Sequence, residues 1–264
     1  PIANLVASSI VAIRYARNGV SLLCSDCRKV DSNFESGLDQ EESLTFSNLS
    51  LLKISHQHDS SNQKSLTDIS MAIKVGETIG IIGQSGSGKT TLLKYLREQQ
   101  AQQCAWCPQL PGLVPTLSVY HNIFMGALER HNSFLNLLNL FKPLKTPLGE
   151  ITELAQQLRL EAHLHEPVES LSGGQQQRVN IGRSLYQQRT LFIGDEPVSG
   201  LDNFQAENLL QLISDRHHTL ILALHDTKQA LKFCDRIIGI KDHQVLFDSP
   251  SRELNPAQLA ELYA

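Results

Sequence analysis

The sequence contains the octapeptide Gly83-Gln84-Ser85-Gly86-Ser87-Gly88-Lys89-Thr90, which follows an apolar segment at 78–82 and begins a predicted helix. The glycines let successive backbone N–H groups turn inward around phosphate oxygens, and the helix N-terminus adds partial positive charge. Lys89 is expected to neutralise the β- and γ-phosphates of a nucleotide, and the Thr90 hydroxyl to bind Mg²⁺. A glycine-rich turn without a ligand is the alternative, but the strand–loop–helix context favours a phosphate-binding loop (P-loop).

A second apolar segment ends in two adjacent carboxylates, in the sequence Leu191-Phe192-Ile193-Gly194-Asp195-Glu196. Asp195, at the end of the predicted strand, is expected to hold Mg²⁺ through water. Glu196, one residue later, is expected to reach the attacking water as general base. A strand followed by two carboxylates is common in proteins, but after a P-loop it predicts the second half of a nucleotide-hydrolysis site.

Short apolar segments alternate with helical ones from the P-loop onward, which is typical of a parallel sheet covered on both faces. Alternating apolar residues at 44–51 and an apolar segment at 66–73 predict two earlier strands. Further strands are predicted at 78–82, 190–194, 219–224, 236–240 and 245–247. Helices are predicted after Gly88, Gln175, Phe204, Thr227 and Pro256.

Residues 111–170 show no strand pattern and predict a helical lobe inserted in the α/β core. Leucine-rich segments at 133–141 and 151–160 are expected to be helical, with Pro143 and Pro147 breaking the chain between them. The predicted domain therefore covers residues 44–264, with its core at 44–109 and 173–264 and the helical subdomain at about 110–172. For the polar N-terminal extension, residues 1–43, the sequence leaves disorder, a short helix and an upstream read-through as alternatives.

The bulk composition gives no general attraction to nucleic acid or anionic lipid, because 27 acidic residues outnumber 23 basic ones for a net charge of −4. No nucleic-acid partner is expected. No apolar run reaches the roughly 20 residues that a membrane-spanning helix needs. Any work at a membrane is therefore expected to depend on a partner, and the chain is expected to be cytosolic.

Five cysteines are an odd number, and four of them form two Cys-x-x-Cys pairs, Cys24/Cys27 and Cys104/Cys107. A shared zinc site is one interpretation, although the separation of the pairs is much longer than usual for zinc knuckles. The alternative is that Cys104 and Cys107 are small core residues on either side of Trp106 in a strand.

The segment Leu171-Ser172-Gly173-Gly174-Gln175 resembles the signature motif of ATP-binding cassette (ABC) ATPases. It is a second small-residue helix N-terminus that can offer a hydroxyl and backbone amides to a phosphate. The resemblance implies that this second cradle closes over ATP held by a partner subunit. Two chains would then form a homodimer that sandwiches two nucleotides head to tail in composite sites.

Other landmarks of the family follow in order. Gln109 resembles the Q-loop glutamine that senses Mg²⁺, residues 199–202 resemble the D-loop that contacts the partner chain, and His225 resembles the switch histidine. The resemblance covers about residues 44–264 and implies a P-loop NTPase core, mostly a parallel sheet with flanking helices, an inserted α-helical subdomain and a reduced antiparallel β part. The implied ATP-binding residues are Gly83, Gln84, Ser85, Gly86, Ser87, Gly88, Lys89, Thr90, Thr91, Ser172, Gly173, Gly174, Gln175 and Asp202. The implied Mg²⁺ ligands are Thr90, Gln109 and Asp195, and the implied catalytic residues are Glu196, His225 and Gln109.

Within the family, segments at 117–123, 224–226, 230–238 and 245–248 look most like the ATPase subunits of phosphonate importers. That resemblance implies transport of phosphonate or a related oxyanion, powered by dimer closure and MgATP hydrolysis. It also implies integral membrane permease subunits and a periplasmic or lipid-anchored binding protein as partners, and a place at the cytoplasmic face of the inner membrane. A soluble ABC ATPase that remodels an enzyme or nucleoprotein complex and a degenerate nucleotide-binding regulator are the alternatives.

The sequence departs from the family pattern in two places. Relatives carry an aromatic residue that stacks on adenine, but residues 51–55 contain no aromatic ring, and His56 and His58 are the nearby substitutes. The separation between Lys89 and Gln109 is also shorter than in typical relatives, in which the extra residues supply antiparallel strands.

Overall fold

The structure is a computed structural model that describes residues 43–49 and 69–264, with only the backbone described at 43–49 and at 69–70. The predictions for the N-terminal extension, for Cys24 and Cys27, and for the adenine-stacking region at 51–58 lie outside the described residues.

A six-stranded sheet forms the centre of the fold, with the strand order β4-β5-β6-β3-β7-β8. β4, β5, β6, β3 and β7 run parallel to one another, and β8 pairs antiparallel with β7. The separate strands β1 and β2 form an antiparallel pair. The strand bounds are β1 Ser43–Leu49, β2 Ile69–Lys74, β3 Thr78–Ile82, β4 Cys104–Cys107, β5 Leu191–Asp195, β6 Thr219–Ala223, β7 Arg236–Lys241 and β8 Gln244–Pro250. The predicted fold class, mostly parallel with a small antiparallel part, is confirmed.

Apolar side chains alternate between the two faces of the sheet and build two cores. Ile79 of β3 and Ile193 of β5 belong to one core, together with the leucines of the helix that follows the P-loop. Phe192 of β5 and Leu222 of β6 belong to the other core, which continues into the helical lobe. Because β3, β5 and β6 are buried at every position, their sequences are continuous apolar runs rather than alternating ones.

Eight α-helices are described. Their bounds are α1 Lys89–Gln99, α2 Val119–Phe124, α3 Ser133–Phe141, α4 Lys145–Gln157, α5 Gly173–Leu185, α6 Asn203–Arg216, α7 Thr227–Phe233 and α8 Pro256–Tyr263. A 3₁₀ helix, Met125–Arg130, extends α2. None of the helices in the described ranges is long and apolar enough to span a membrane.

The prediction that Pro147 breaks the chain between two helices is wrong, because Pro147 is the third residue of α4. The N–H groups of the first helical turn have no intrahelical acceptor, so a proline there removes no hydrogen bond. α4 also ends at Gln157 rather than at residue 160. The predicted start of α5, after Gln175, is also wrong. The helix begins at Gly173 and is capped by Ser172.

β4 lies at the edge of the sheet, only four residues after the end of α1. Cys104 and Cys107 are buried on opposite faces of this strand, one in each core, because residues three apart in a strand point in opposite directions. The prediction that they are core residues on either side of Trp106 in a strand is confirmed. The short connection between α1 and β4 sets the separation between Lys89 and Gln109.

Candidate nucleotide-binding site

The P-loop connects β3 to α1 and lies at the carboxyl edge of the sheet, where ligands of open α/β sheets bind. Gly83 has a φ of 154°, and a Cβ there would come within 2.2 Å of the Ile240 carbonyl oxygen. Gly88 caps α1 in the left-handed conformation, with a φ of 108° and no side-chain acceptor for the first N–H groups of the helix. These N–H groups are therefore available to an anion.

Lys89 folds back across the P-loop. Its Nζ donates to the carbonyl oxygens of Gly83 at 2.8 Å and of Gln84 at 2.9 Å. Burial lowers the pKa of the Lys89 ammonium, and the negative charges of Glu196 and Asp195 partly offset that effect. The Lys89 ammonium, held by two backbone carbonyls, is therefore placed to bind the negative charge of a phosphate in the P-loop.

The remaining predicted residues of the P-loop and of the start of α1 differ in exposure. Gln84, Ser85 and Gly86 are exposed, Thr90 is half-buried, and Thr91 is exposed at the start of α1. Ser87 is buried.

Two buried oxygens at the loop have no hydrogen-bond partner in the described part of the chain: Ser87 Oγ and Asp195 Oδ1. Asp195 is only 1% exposed, and an unpaired buried carboxylate oxygen is costly. Hydroxyl and carboxylate oxygens are the ligands that Mg²⁺ accepts. The residues present therefore fit a nucleotide-bound cation next to Thr90.

Gln109, Glu196 and His225 form a hydrogen-bonded group beside the P-loop. Gln109 Nε2 donates to Glu196 Oε2 at 3.1 Å, and His225 Nε2 lies 2.7 Å from Glu196 Oε1. The three residues follow β4, β5 and β6, which are neighbours in the sheet, so the parallel strands deliver them to one edge. Both oxygens of the Glu196 carboxylate are thus engaged, and the residue is 8% exposed.

The backbone of Glu196 is unusual, with a φ of +52°. Its N–H donates to the carbonyl oxygen of Ala223 at 3.1 Å, and the Gln177 amide donates to its carbonyl oxygen at 3.5 Å and to that of Pro197 at 2.6 Å. A left-handed residue that is not glycine or asparagine is uncommon, and this one is fixed from two sides.

Ser172, Gly173, Gly174 and Gln175 form a capped helix N-terminus at the surface. The Gln175 N–H donates to Ser172 Oγ at 3.3 Å, and Gln175 Oε1 accepts from the Ser172 N–H at 2.8 Å, which makes a capping box. Asp202 caps α6 with its side chain alone, by accepting from the Gln205 N–H at 2.9 Å. Within the described ranges, no hydrogen bond or ion pair joins these residues to the P-loop or to Glu196.

The structure therefore brings the P-loop, Asp195, Glu196, Gln109 and His225 together in one chain, whereas Ser172–Gln175 and Asp202 have no hydrogen bond to this group in the described ranges. Sequence reasoning missed a polar row on α5, consisting of Gln177, Asn180 and Ser184. All three are buried, and their spacing places them on one helix face. This spacing of amides and a hydroxyl among apolar residues is the signal that could have revealed them.

The chain is similar to known proteins over most of its length. A family model described as ABC transporter matches residues 66–104 and 96–199. The phosphonates import ATP-binding protein PhnC of Ruegeria pomeroyi is 32% identical over 214 residues, which cover 70% of this chain and 78% of that protein. The phosphonates import ATP-binding protein PhnC 1 of Pseudomonas syringae pv. tomato is 35% identical over 245 residues, covering 82% of this chain and 91% of that protein.

The fold is also similar to that of solved ATP-binding cassettes. One is a dimeric cassette in a post-hydrolysis state with bound ADP and Pi, with a TM-score of 0.61 and 24% sequence identity. The match covers 75% of this chain and 96% of that cassette.

Proposed function

The chain belongs to the ABC transporter family, whose ATP-binding subunits are ATPases, and from this we propose that it is the ATP-hydrolysing subunit of a bacterial importer. The observation that supports the catalytic part of this proposal best is the contact of Gln109 and His225 with the two oxygens of Glu196, beside the P-loop.

The P-loop amides and Lys89 bind the phosphates of ATP, and Lys89 exchanges its carbonyl contacts for phosphate oxygens. Thr90, Asp195 and Gln109 would hold Mg²⁺, which would supply positive charge to the β- and γ-phosphates. The unpaired oxygen of Asp195 supports that assignment.

Glu196 accepts a proton from the attacking water as general base, and His225 orients Glu196 and the γ-phosphate. The carboxylate suits this role because it is nearly buried and held at both oxygens. Gln109 connects the Mg²⁺ site to the same carboxylate. Glu196 is the carboxylate that directly follows Asp195 at the end of β5, which supports its assignment as the base.

Two chains complete the site. Ser172, Gly173 and Asp202 are exposed, and Gly174 and Gln175 are half-buried. Apart from the contact of Gln175 Nε2 with His163 Nε2 at 2.9 Å, the hydrogen bonds of Ser172, Gln175 and Asp202 close their own helix caps, which supports a role in meeting a nucleotide held by a partner chain. We propose a homodimer with two composite ATP sites, in which ATP closes the dimer and hydrolysis reopens it.

The proposed cargo is phosphonate or a related oxyanion, a proposal supported by relatives that are named phosphonates import ATP-binding proteins. The partners are permease subunits of the membrane and an external binding protein, and the chain works at the cytoplasmic face of the membrane. The helical lobe supports a membrane partner because α3 exposes a large apolar surface, with Phe134 68% and Phe141 81% exposed and Leu137 between them.

The ATPase part is tested by phosphate release from MgATP with Lys89→Ala and, as control, Lys94→Ala, which changes an exposed lysine of the same helix. The first variant is expected to lose hydrolysis and the second to keep it. Equal activity of the two variants would contradict the role of Lys89 in binding the phosphates of ATP.

The importer part is tested by co-purification of the tagged chain from native membranes. A permease and a binding protein are the expected partners. Recovery of a soluble enzyme or nucleoprotein complex instead would favour the non-transport alternative.

A further inference from the structure

The loop that carries Gln109 lacks backbone support of its own. Residues 108–114 have no regular secondary structure, and Leu110, next to Gln109, is 84% exposed. Among the hydrogen bonds of the described residues, none joins the backbone of 109–113 to another backbone group. Something else must therefore fix the direction in which the Gln109 side chain points.

Asn180 of α5 holds the chain just before Gln109. This side chain is fully buried, and its Nδ2 donates to the Pro108 carbonyl oxygen at 2.9 Å and to Cys107 Sγ at 3.3 Å. Its Oδ1 accepts from Arg183 Nη2 at 3.2 Å. Only one orientation of the amide satisfies these contacts, because the flipped amide would set its oxygen against the carbonyl of Pro108.

Arg183, one turn further along α5, holds the chain just after Gln109. Nη1 donates to the Gly112 carbonyl oxygen at 3.1 Å, and Nη2 donates to the Pro111 carbonyl oxygen. The guanidinium therefore bridges two successive carbonyls of the loop and the Asn180 amide. Its planar arrangement of donors suits this task better than the single ammonium of a lysine.

α5 itself is firmly placed, so it can serve as a fixed support. A Cβ at Gly126, in the 3₁₀ helix after α2, would come within 2.0 Å of the Arg183 carbonyl oxygen. A Cβ at Gly182 would come within 2.8 Å of Leu158 and 3.2 Å of Ile123. The helical lobe and α5 thus pack with almost no free space where Arg183 projects toward the loop.

We propose that Asn180 and Arg183 are positioning residues for Gln109. They hold the carbonyls on both sides of it, so that the Gln109 amide reaches Glu196 Oε2 and the predicted Mg²⁺ site. Neither residue contacts the reacting atoms. The proposal rests on the proposed function of Gln109 and Glu196 in ATP hydrolysis, and it adds the part of the chain that sets their geometry.

The first test compares Arg183→Met with Arg189→Met, an equally half-buried arginine that pairs with Glu129 at 3.0 Å instead of with the loop. Arg183→Met is expected to lower kcat by about 10- to 100-fold, the effect of a displacement near 1 Å at a reacting group. KM for ATP should change little, because the P-loop contacts stay in place. Arg189→Met should keep both constants, and Arg183→Lys, which can hold one carbonyl, should fall in between.

A double-mutant cycle with Gln109→Ala separates positioning from a general loss of structure. If Arg183 acts through Gln109, adding Arg183→Met to Gln109→Ala causes no further loss of kcat. Asn180→Leu, which keeps the branched shape of the side chain and removes its amide donor and acceptor, should behave in the same way. Losses that multiply in the double variants would overturn the proposal.

Backbone order parameters from NMR relaxation at Gln109, Leu110, Gly112 and Leu113 supply a measurement that does not depend on ATPase activity. Arg183→Met should lower these order parameters, while Arg189→Met should leave them unchanged. If Gln109→Ala keeps the wild-type kcat, the proposed function of Gln109 fails, even where the loop loosens in Arg183→Met. Unchanged order parameters in Arg183→Met would instead refute the inference about α5.

Discussion

Replacing Glu196 by glutamine removes the proposed general base while keeping its shape. The carboxylate has two partners, Gln109 Nε2 at 3.1 Å and His225 Nε2 at 2.7 Å. In Glu196→Gln the amide oxygen can still accept from Gln109, and the amide nitrogen can donate to the His225 ring. The backbone contact with Ala223 does not involve the side chain. The variant should therefore fold like the wild type and lose only the basicity at residue 196.

The size of the loss follows from general-base catalysis, which contributes about 10²- to 10⁴-fold in rate, or about 3 to 5 kcal/mol in the activation free energy. ATP binding should persist, because the P-loop amides and Lys89 do not depend on Glu196. Glu196→Gln is thus expected to bind MgATP, to release almost no phosphate and to accumulate as a closed dimer.

The assay combines phosphate release with size-exclusion chromatography in the presence and absence of ATP. Glu207→Gln is the matched control, since Glu207 forms a surface ion pair with Lys232 on the helices α6 and α7. A rate near that of the wild type in Glu196→Gln would refute the assignment of the base. If His225→Ala then abolished hydrolysis, the role of base would pass to His225.

Three further predictions concern other parts of the chain. Burial lowers the pKa of His217 to about 4, from an ordinary value of 6.5. Below pH 6.5 the unfolded chain therefore binds more protons at this residue than the folded chain does. The free energy of unfolding should therefore fall by up to about 3 kcal/mol as the pH falls from 7 to 4. This fall should be smaller in His217→Gln, and it should keep its wild-type size in the exposed control His218→Gln. The absence of an aromatic residue at 51–55 should weaken ATP binding roughly ten-fold and allow GTP to compete with ATP, and competition binding would measure both effects. Lys53→Tyr should tighten ATP binding if residue 53 faces the base. The purified protein should contain no stoichiometric zinc, and one zinc per chain that is lost in Cys107→Ser would contradict this.

The fold could be predicted from the sequence because its deciding features are local. The strand at 78–82 and the strand ending at Asp195 are continuous apolar runs, and each ends in residues with a clear chemical role. The same runs give the parallel sheet, and the sheet then brings Gln109, Glu196 and His225 to one edge. The prediction for Pro147 was wrong because a proline fits the first turn of a helix, and only the helix start decides whether it breaks the chain.

The support of the Gln109 loop could not be predicted in the same way. Asn180 and Arg183 lie about 70 residues after the loop in the sequence, and their contacts depend on how α5 packs against β4. The polar spacing on α5 shows that some buried groups need partners, but it does not identify them. The two oxygens left without partners at Ser87 and Asp195 are likewise visible only once the chain is folded.

Phosphate release from MgATP, measured over a range of chain concentrations, tests the central claim most directly. If two chains form the composite sites, the rate per chain rises with concentration and levels off once dimers form, and Lys89→Ala shows no activity at any concentration. A rate per chain that stays constant down to concentrations at which the protein is a monomer would contradict the account.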